Sequence, residues 1–263
     1  MTVPVEPSEE LSQPNLASIT DPGELLERAW ALEPLAFWSE RAAALDRLDE
    51  LLRMDAAPSP PPGRDWRLEL LAERAIDAGR MMRLEEALEL VGQVLREADP
   101  SCDIARGRAQ LAAGQALAWT GTEAAAQEAD RAFADAAERF AALGNRDWQG
   151  SALLRRGYAV WFQSVGNLPR AELLIREALD TYEPGSPRIP AVLSYYADVL
   201  IDLGEFDAAD QALEEARLLA ERDGIRKALG ELAWSKASVA AGRGDARATE
   251  RLLREAERET GDS

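Results

Sequence analysis

The sequence predicts an all-α protein, a solenoid of about five helical hairpins with a helical pair in front of it. Three observations carry this prediction. Ala, Leu, Glu and Arg dominate the 263 residues, a composition that favours helix over strand. Small residues recur in one register about every 40 residues, at Ala87, Ala129, Ala171, Ala209 and Thr249. A glycine stands shortly before four of these, at Gly121, Gly166, Gly204 and Gly244. Repeats have to be sought first, because a missed repeat misassigns every element.

The elements follow in order. Residues 1 to about 20 carry Pro4, Pro7, Pro14 and Glu9-Glu10 without an apolar period, and read as a flexible tail. Asp21-Pro22-Gly23-Glu24 starts a helix, with Asp21 as cap and Pro22 in the first turn. Leu25, Leu26, Ala29 and Trp30 share one face of it. Pro34 ends or kinks it. A second helix runs from about Leu35 to Arg53, with Leu45, Leu48, Leu51 and Leu52 on one side. Residues 21–55 are thus a cap or a degenerate repeat, since end units of arrays are atypical. Residues 56–65, with Pro60-Pro61-Pro62, form a stiff link.

The array is assigned to 66–258, with a short tail at 259–263. Seven residues beyond each registered small residue come Val94, Ala136, Ala178, Ala216 and Ala256. Two helical turns separate the members of each pair, so both lie on one face and admit a neighbouring helix closely. The first helices carry their own small residues at Gly114, Ala159, Ala197 and Ala237. The turn glycines suit the left-handed conformation that stops a helix. The first hairpin, from about Trp66 to Ala98, has Met82 in the glycine place. The third, read over 157–179, places Phe162 against Ile175.

The stretch from Ala129 to Asn145, with that from Gly157 to Leu179, resembles tetratricopeptide repeats (TPRs) of the longer variety. It is similar to the sensor arrays of large bacterial transcription activators of the maltose-regulator type. Two features depart from the repeat pattern. The Trp expected early in the first helix is absent, and a closing Pro appears only near Pro100 and Pro184. The resemblance implies a right-handed superhelix whose first helices line the concave side. It is nearly silent on function, because one scaffold serves many partners.

Composition narrows the function. A net charge of −18 repels phosphate backbones and anionic membranes, so no direct nucleic-acid or membrane partner is expected. No His is present, which removes the commonest general base and metal ligand. No catalytic residue, cofactor or metal site is therefore assigned. Cys102 is the only cysteine, which suits a reducing, cytoplasmic setting. No apolar run is long enough to span a membrane.

The expected function is a non-enzymatic scaffold that binds a protein or peptide in the concave groove. Matching places on the first helices give its lining: Arg108, Leu111, Gln115 and Trp119, then Arg156, Val160, Gln163 and Ser164, then Ser194, Asp198 and Asp202, then Trp234 and Ser238. Arg108 and Arg156 would hold a carboxylate, the two tryptophans would give apolar contact, and Asp198 and Asp202 would take a basic group. Two other readings stand beside it. One is a small-molecule sensor with a closed apolar pocket. The other is self-association, a homo-oligomer formed through the front helices.

Overall fold

The computed structural model describes residues 16–33, 37–222 and 226–261, with 226–231 and 258–261 described by their backbone alone. The chain divides into two compact units, 1–62 and 63–263. Each is taken by itself.

The first unit is a helical pair, α1 (Pro22–Leu32) and α2 (Trp38–Arg53). Asp21 caps α1, its carboxylate accepting from the Gly23 amide at 2.8 Å. Leu25, Leu26 and Ala29 are buried, and so are Leu45, Leu48 and Leu51 of the helix packed against them. Pro34, expected to end α1, lies outside the described residues, as do residues 1–15 of the expected tail. The end of that tail is structured: Leu16–Ser18 form a 3₁₀ turn on α2. Arg47 holds it by donating to the carbonyls of Ala17 and Ile19, at 3.2 and 3.4 Å. Buried Ile19 anchors it further.

The described residues of the second unit form five helical hairpins. They are α3 (Trp66–Arg80) with α4 (Leu84–Glu97), and α5 (Asp103–Ala118) with α6 (Glu123–Ala142). The third pairs α7 (Arg146–Arg155), continued by a π-helical segment (Arg156–Ser164), with α8 (Leu168–Thr181). Then come α9 (Ile189–Asp202) with α10 (Phe206–Arg222), and α11 (Arg226–Gly242) with α12 (Ala246–Gly261). No strand occurs among the described residues.

Each first helix packs on its own partner, and from α5 onward also on the second helix of the hairpin before it. First helices also touch across hairpins, α3 on α5, α5 on the π segment and α9 on α11. They form the closer-packed layer of the array. The registered small residues explain the approach: Ala87, Ala129, Ala171 and Ala209 are 0% exposed, as are Val94, Ala136, Ala178, Ala216 and Ala256. First-helix glycines are seats for second-helix rings. A Cβ on Gly107 would meet the Phe140 ring at 2.7 Å, and one on Gly114 would meet Phe133 at 2.8 Å.

The hairpin turns share a residue in the left-handed conformation. Gly121, Gly166, Gly204 and Gly244 have φ between 71 and 79°. Met82 takes φ 58° in the same place without glycine's freedom. The Arg83 amide closes its turn on the Ala78 carbonyl at 2.9 Å, as Glu205 does on Leu200 and Asp245 on Ala240, satisfying carbonyls that the helix ends leave open.

The third turn is wider. The Val165 amide reaches back five residues to Val160 at 2.9 Å, and the Asn167 amide six to Trp161 at 2.7 Å. The Ser164 hydroxyl bonds the Ala159 carbonyl at 2.7 Å, supporting backbone that the wide turn loosens. This π segment alters the side-chain register expected of an α-helix. The residue beneath Ile175 is Gly157, where a Cβ would meet the Ile175 side chain at 3.0 Å. Phe162, expected there, instead lies beside the Tyr158 ring, with centroids 5.1 Å apart.

Helix α5 is buried nearly all round, from Ala105 through Arg108, Leu111 and Gly114 to Ala118. It has neighbours in α3, α4, α6 and the π segment. A helix so enclosed has no polar stripe to show to water, which is why its sequence is small and apolar on most faces.

Candidate partner-binding face

The expected groove residues fall into two groups. Those of hairpins two and three are largely internal. Arg108 is 2% exposed, and its guanidinium forks onto the Glu73 carboxylate at 2.6 and 2.7 Å. It also lies 5.5 Å from the centre of the Trp148 ring. Leu111 and Val160 are buried. Gln115 accepts from Arg155 at 3.3 Å. Arg156 forks onto Asp130 at 2.7 and 2.9 Å, and the Trp161 indole donates to the same carboxylate at 2.7 Å. Burial pushes the Asp130 carboxyl up, but the Arg156 and Trp161 bonds outweigh it and hold it below its ordinary range. Trp119, Gln163 and Ser164 are exposed near the turns, and Ser164 also donates to the Ala118 carbonyl at 3.2 Å.

The residues of hairpins four and five are more open. Asp202, Trp234 and Ser238 are exposed, while Ser194 and Asp198 are half-buried. Asp198 is the centre of the group. It accepts from the Tyr158 hydroxyl at 3.0 Å, and from Ser235, which also lies 3.4 Å from Ser194. The Tyr158 ring lies 4.4 Å from that of Tyr195, centroid to centroid, tilted by 48°. The π segment, α9 and α11 thus bring together three aromatic rings (Tyr158, Phe162 and Tyr195), two carboxylates and two serines; exposed Trp234 directly precedes Ser235 in the chain.

The electrostatics of this face differ from those of the internal pairs. Burial raises the Asp198 carboxyl above its ordinary range, and Asp202 one turn away adds to the shift; the Tyr158 and Ser235 hydroxyls only partly oppose it. Burial, followed by the charge of Asp198 and its hydrogen bond, raises the Tyr158 hydroxyl. These are groups suited to holding a ligand by rings, hydroxyls and negative charge.

Tyr158, Phe162, Tyr195 and Ser235 were not among the expected residues. Tyr158 and Phe162 leave the α-helical register through the π segment. Tyr195 and Ser235 each directly follow a residue named on their helix, Ser194 and Trp234.

Among the described residues, no group of three His, Cys, Asp or Glu side chains is placed to hold a metal ion. No helix among them is long and apolar enough to cross a membrane. Cys102 is buried, and burial raises its thiol. Open depressions of about 380 and 420 Å³ lie elsewhere, one along Asp210, Lys236 and Arg243 and the other along the Leu88–Arg96 side of α4.

Paired antiparallel helices with registered small contacts and one shared turn define the class, a TPR-like helical repeat protein. Solved structures agree. The nearly identical TPR-like repeats of a kinesin-light-chain-type protein from Podosopora anserina share 17% identity with a TM-score of 0.54, over 78% of this chain and 98% of that one. A single-residue variant of those repeats shares 19% identity with a TM-score of 0.54, over 75% and 97%. RapI in its apo form shares 10% identity with a TM-score of 0.55, over 92% of this chain and 99% of that one. Likeness at these identities shows the fold alone. No protein-family model and no curated protein sequence matches the chain.

Proposed function

We propose that the chain is a non-enzymatic scaffold that binds a protein or peptide along the first helices of its last three hairpins. Its setting is regulatory and cytoplasmic, in keeping with the resemblance to sensor arrays of bacterial transcription activators. The observation that carries this reading is the face around Asp198. Tyr195, packed on the Tyr158 ring, is 38% exposed there, and Trp234, next to Ser235 in the chain, is 44% exposed; Asp198 is half-buried with hydroxyl partners. Exposed Trp and Tyr near desolvated polar groups are the usual anchors of a recognition surface. Arg108 and Arg156 already fork onto carboxylates of the chain itself, so the reading does not rest on them.

Selection of peptides from a display library against the full chain tests this. Selected peptides should crosslink to α9, α11 and the π segment, and Trp234→Ala should weaken them at least about tenfold, as loss of an interface anchor does. Peptides that crosslink instead to the second helices, with affinity indifferent to Trp234, would refute it.

A further inference from the structure

Three buried or half-buried carboxylates of this array are each paired with a guanidinium. Glu69 takes the Arg64 guanidinium at 2.6 Å, Glu73 takes Arg108 at 2.6 Å, and Asp130 takes Arg156 at 2.7 Å. Asp198 differs from them. Hydroxyl groups are its hydrogen-bond donors, at 3.0 and 3.4 Å, and the charge facing it is a second carboxylate, Asp202. Withdrawing a carboxylate from water without a cation is unfavourable, and a like charge one helical turn away adds to the cost. A cation from outside the fold would relieve that cost.

The surroundings say what that charge is carried on. Tyr158, Phe162 and Tyr195 cluster there, with the Tyr158 ring 5.1 and 4.4 Å from the other two, and a cation over a ring is attracted by its negative face, the more so the drier the site. A guanidinium or ammonium group satisfies rings and carboxylates together, whereas an anion satisfies neither. The net charge of −18 draws a cationic partner in from a distance. Residues 1–15 hold Glu6, Glu9 and Glu10 and no Lys or Arg, so that stretch does not complement the site.

We infer that the face formed by Tyr158, Phe162, Tyr195, Asp198 and Asp202 is a subsite for a basic side chain of a bound peptide, with Asp198 and Asp202 neutralising it and the rings covering its flat or apolar part. This rests on the scaffold reading above and narrows its partner to a segment bearing Arg or Lys. Binding restores to Asp198 the cation that Glu69, Glu73 and Asp130 find within the chain.

The test uses the full chain and three acetylated, amidated pentapeptides: Gly-Arg-Gly-Arg-Gly and its Gln and Glu counterparts. Binding is followed by calorimetry and by Trp emission. The Arg peptide should bind most tightly and the Glu peptide least. Asp202→Asn, at an exposed position, should weaken the Arg peptide about tenfold, and Asp198→Asn should weaken it further. Glu85→Gln, an exposed site on α4, removes the same charge and should leave affinity within about twofold. Circular dichroism establishes that each variant is folded.

Equal weakening by Glu85→Gln would mean general attraction to an acidic protein, and the subsite would fall. Equal binding of all three peptides, with crosslinks along the first helices, would overturn the subsite and leave the scaffold reading standing. Crosslinks of the Arg peptide confined to the second helices would overturn both.

Discussion

The buried pair between Glu73 of α3 and Arg108 of α5 offers a sharp test of how the hairpins are joined. Glu73 is 0% exposed and Arg108 2%. Two bonds of 2.6 and 2.7 Å join them across adjacent hairpins, and the guanidinium lies near the Trp148 ring of the next. Glu73→Ala would leave that guanidinium enclosed without its carboxylate, which costs about 3–5 kcal/mol. A chain of this size loses roughly 2–4 °C of melting temperature per kcal/mol. The single variant should therefore melt on the order of 10 °C lower. The double variant Glu73→Leu with Arg108→Met removes both charges and fills the space with apolar atoms. It should recover most of the loss and come within about 1 kcal/mol of the parent, because desolvation nearly cancels the attraction of such pairs. Urea unfolding followed by circular dichroism measures this, with hydrogen exchange at α3 and α5 to locate the effect, since repeat arrays can unfold in steps. A loss below about 1 kcal/mol for Glu73→Ala, or a double variant no better than the single, would refute the account.

Three further outcomes follow. Met82→Gly should stabilise the first hairpin by about 0.5–1 kcal/mol in urea unfolding, because φ of 58° strains a side-chain-bearing residue more than glycine's extra chain entropy costs. Gly114→Ala should destabilise by about 1–3 kcal/mol, since overpacking against the Phe133 ring at 2.8 Å outweighs a gain in helix propensity of up to about 1 kcal/mol. Asp198→Asn should raise thermal stability at neutral pH, and the gain should shrink on acidification. The folded carboxyl titrates above its unfolded value of 3.8, so its charge is a penalty that is full above the folded pKa and gone below the unfolded one. A melting-temperature difference that grew with falling pH would contradict that sign.

The hairpins were legible because a close helix contact tolerates few side chains. Ala87, Ala129, Ala171 and Ala209 mark those contacts in the sequence, and all are buried. The turn geometry was legible where glycine marks it, and at Met82 only by analogy with its counterparts. The exposure of the residues assigned to the groove was legible in part. On α9 and α11, Asp202, Trp234 and Ser238 are open as their register implies. On α5 the same register points into the molecule. A sequence shows an Arg such as Arg108 without showing the carboxylate that encloses it, and Glu73 stands 35 residues away. The π segment was hidden for a different reason. A wider turn leaves composition unchanged and alters only which side chains share a face. Its one trace is length: the first helical run of hairpin three extends from Arg146 to Ser164, against 14 residues in α9.

Helix arrays are often treated as beads that can be shuffled, trimmed or grafted one at a time. Enclosed α5 argues against doing so at the front of this one. Its neighbours come from both adjoining beads, its Arg108 is bound to the one before, and the Trp148 ring belongs to the one after. A cut on either side of α5 would expose surface meant to stay dry, so the first three beads should be inherited, expressed and lost together.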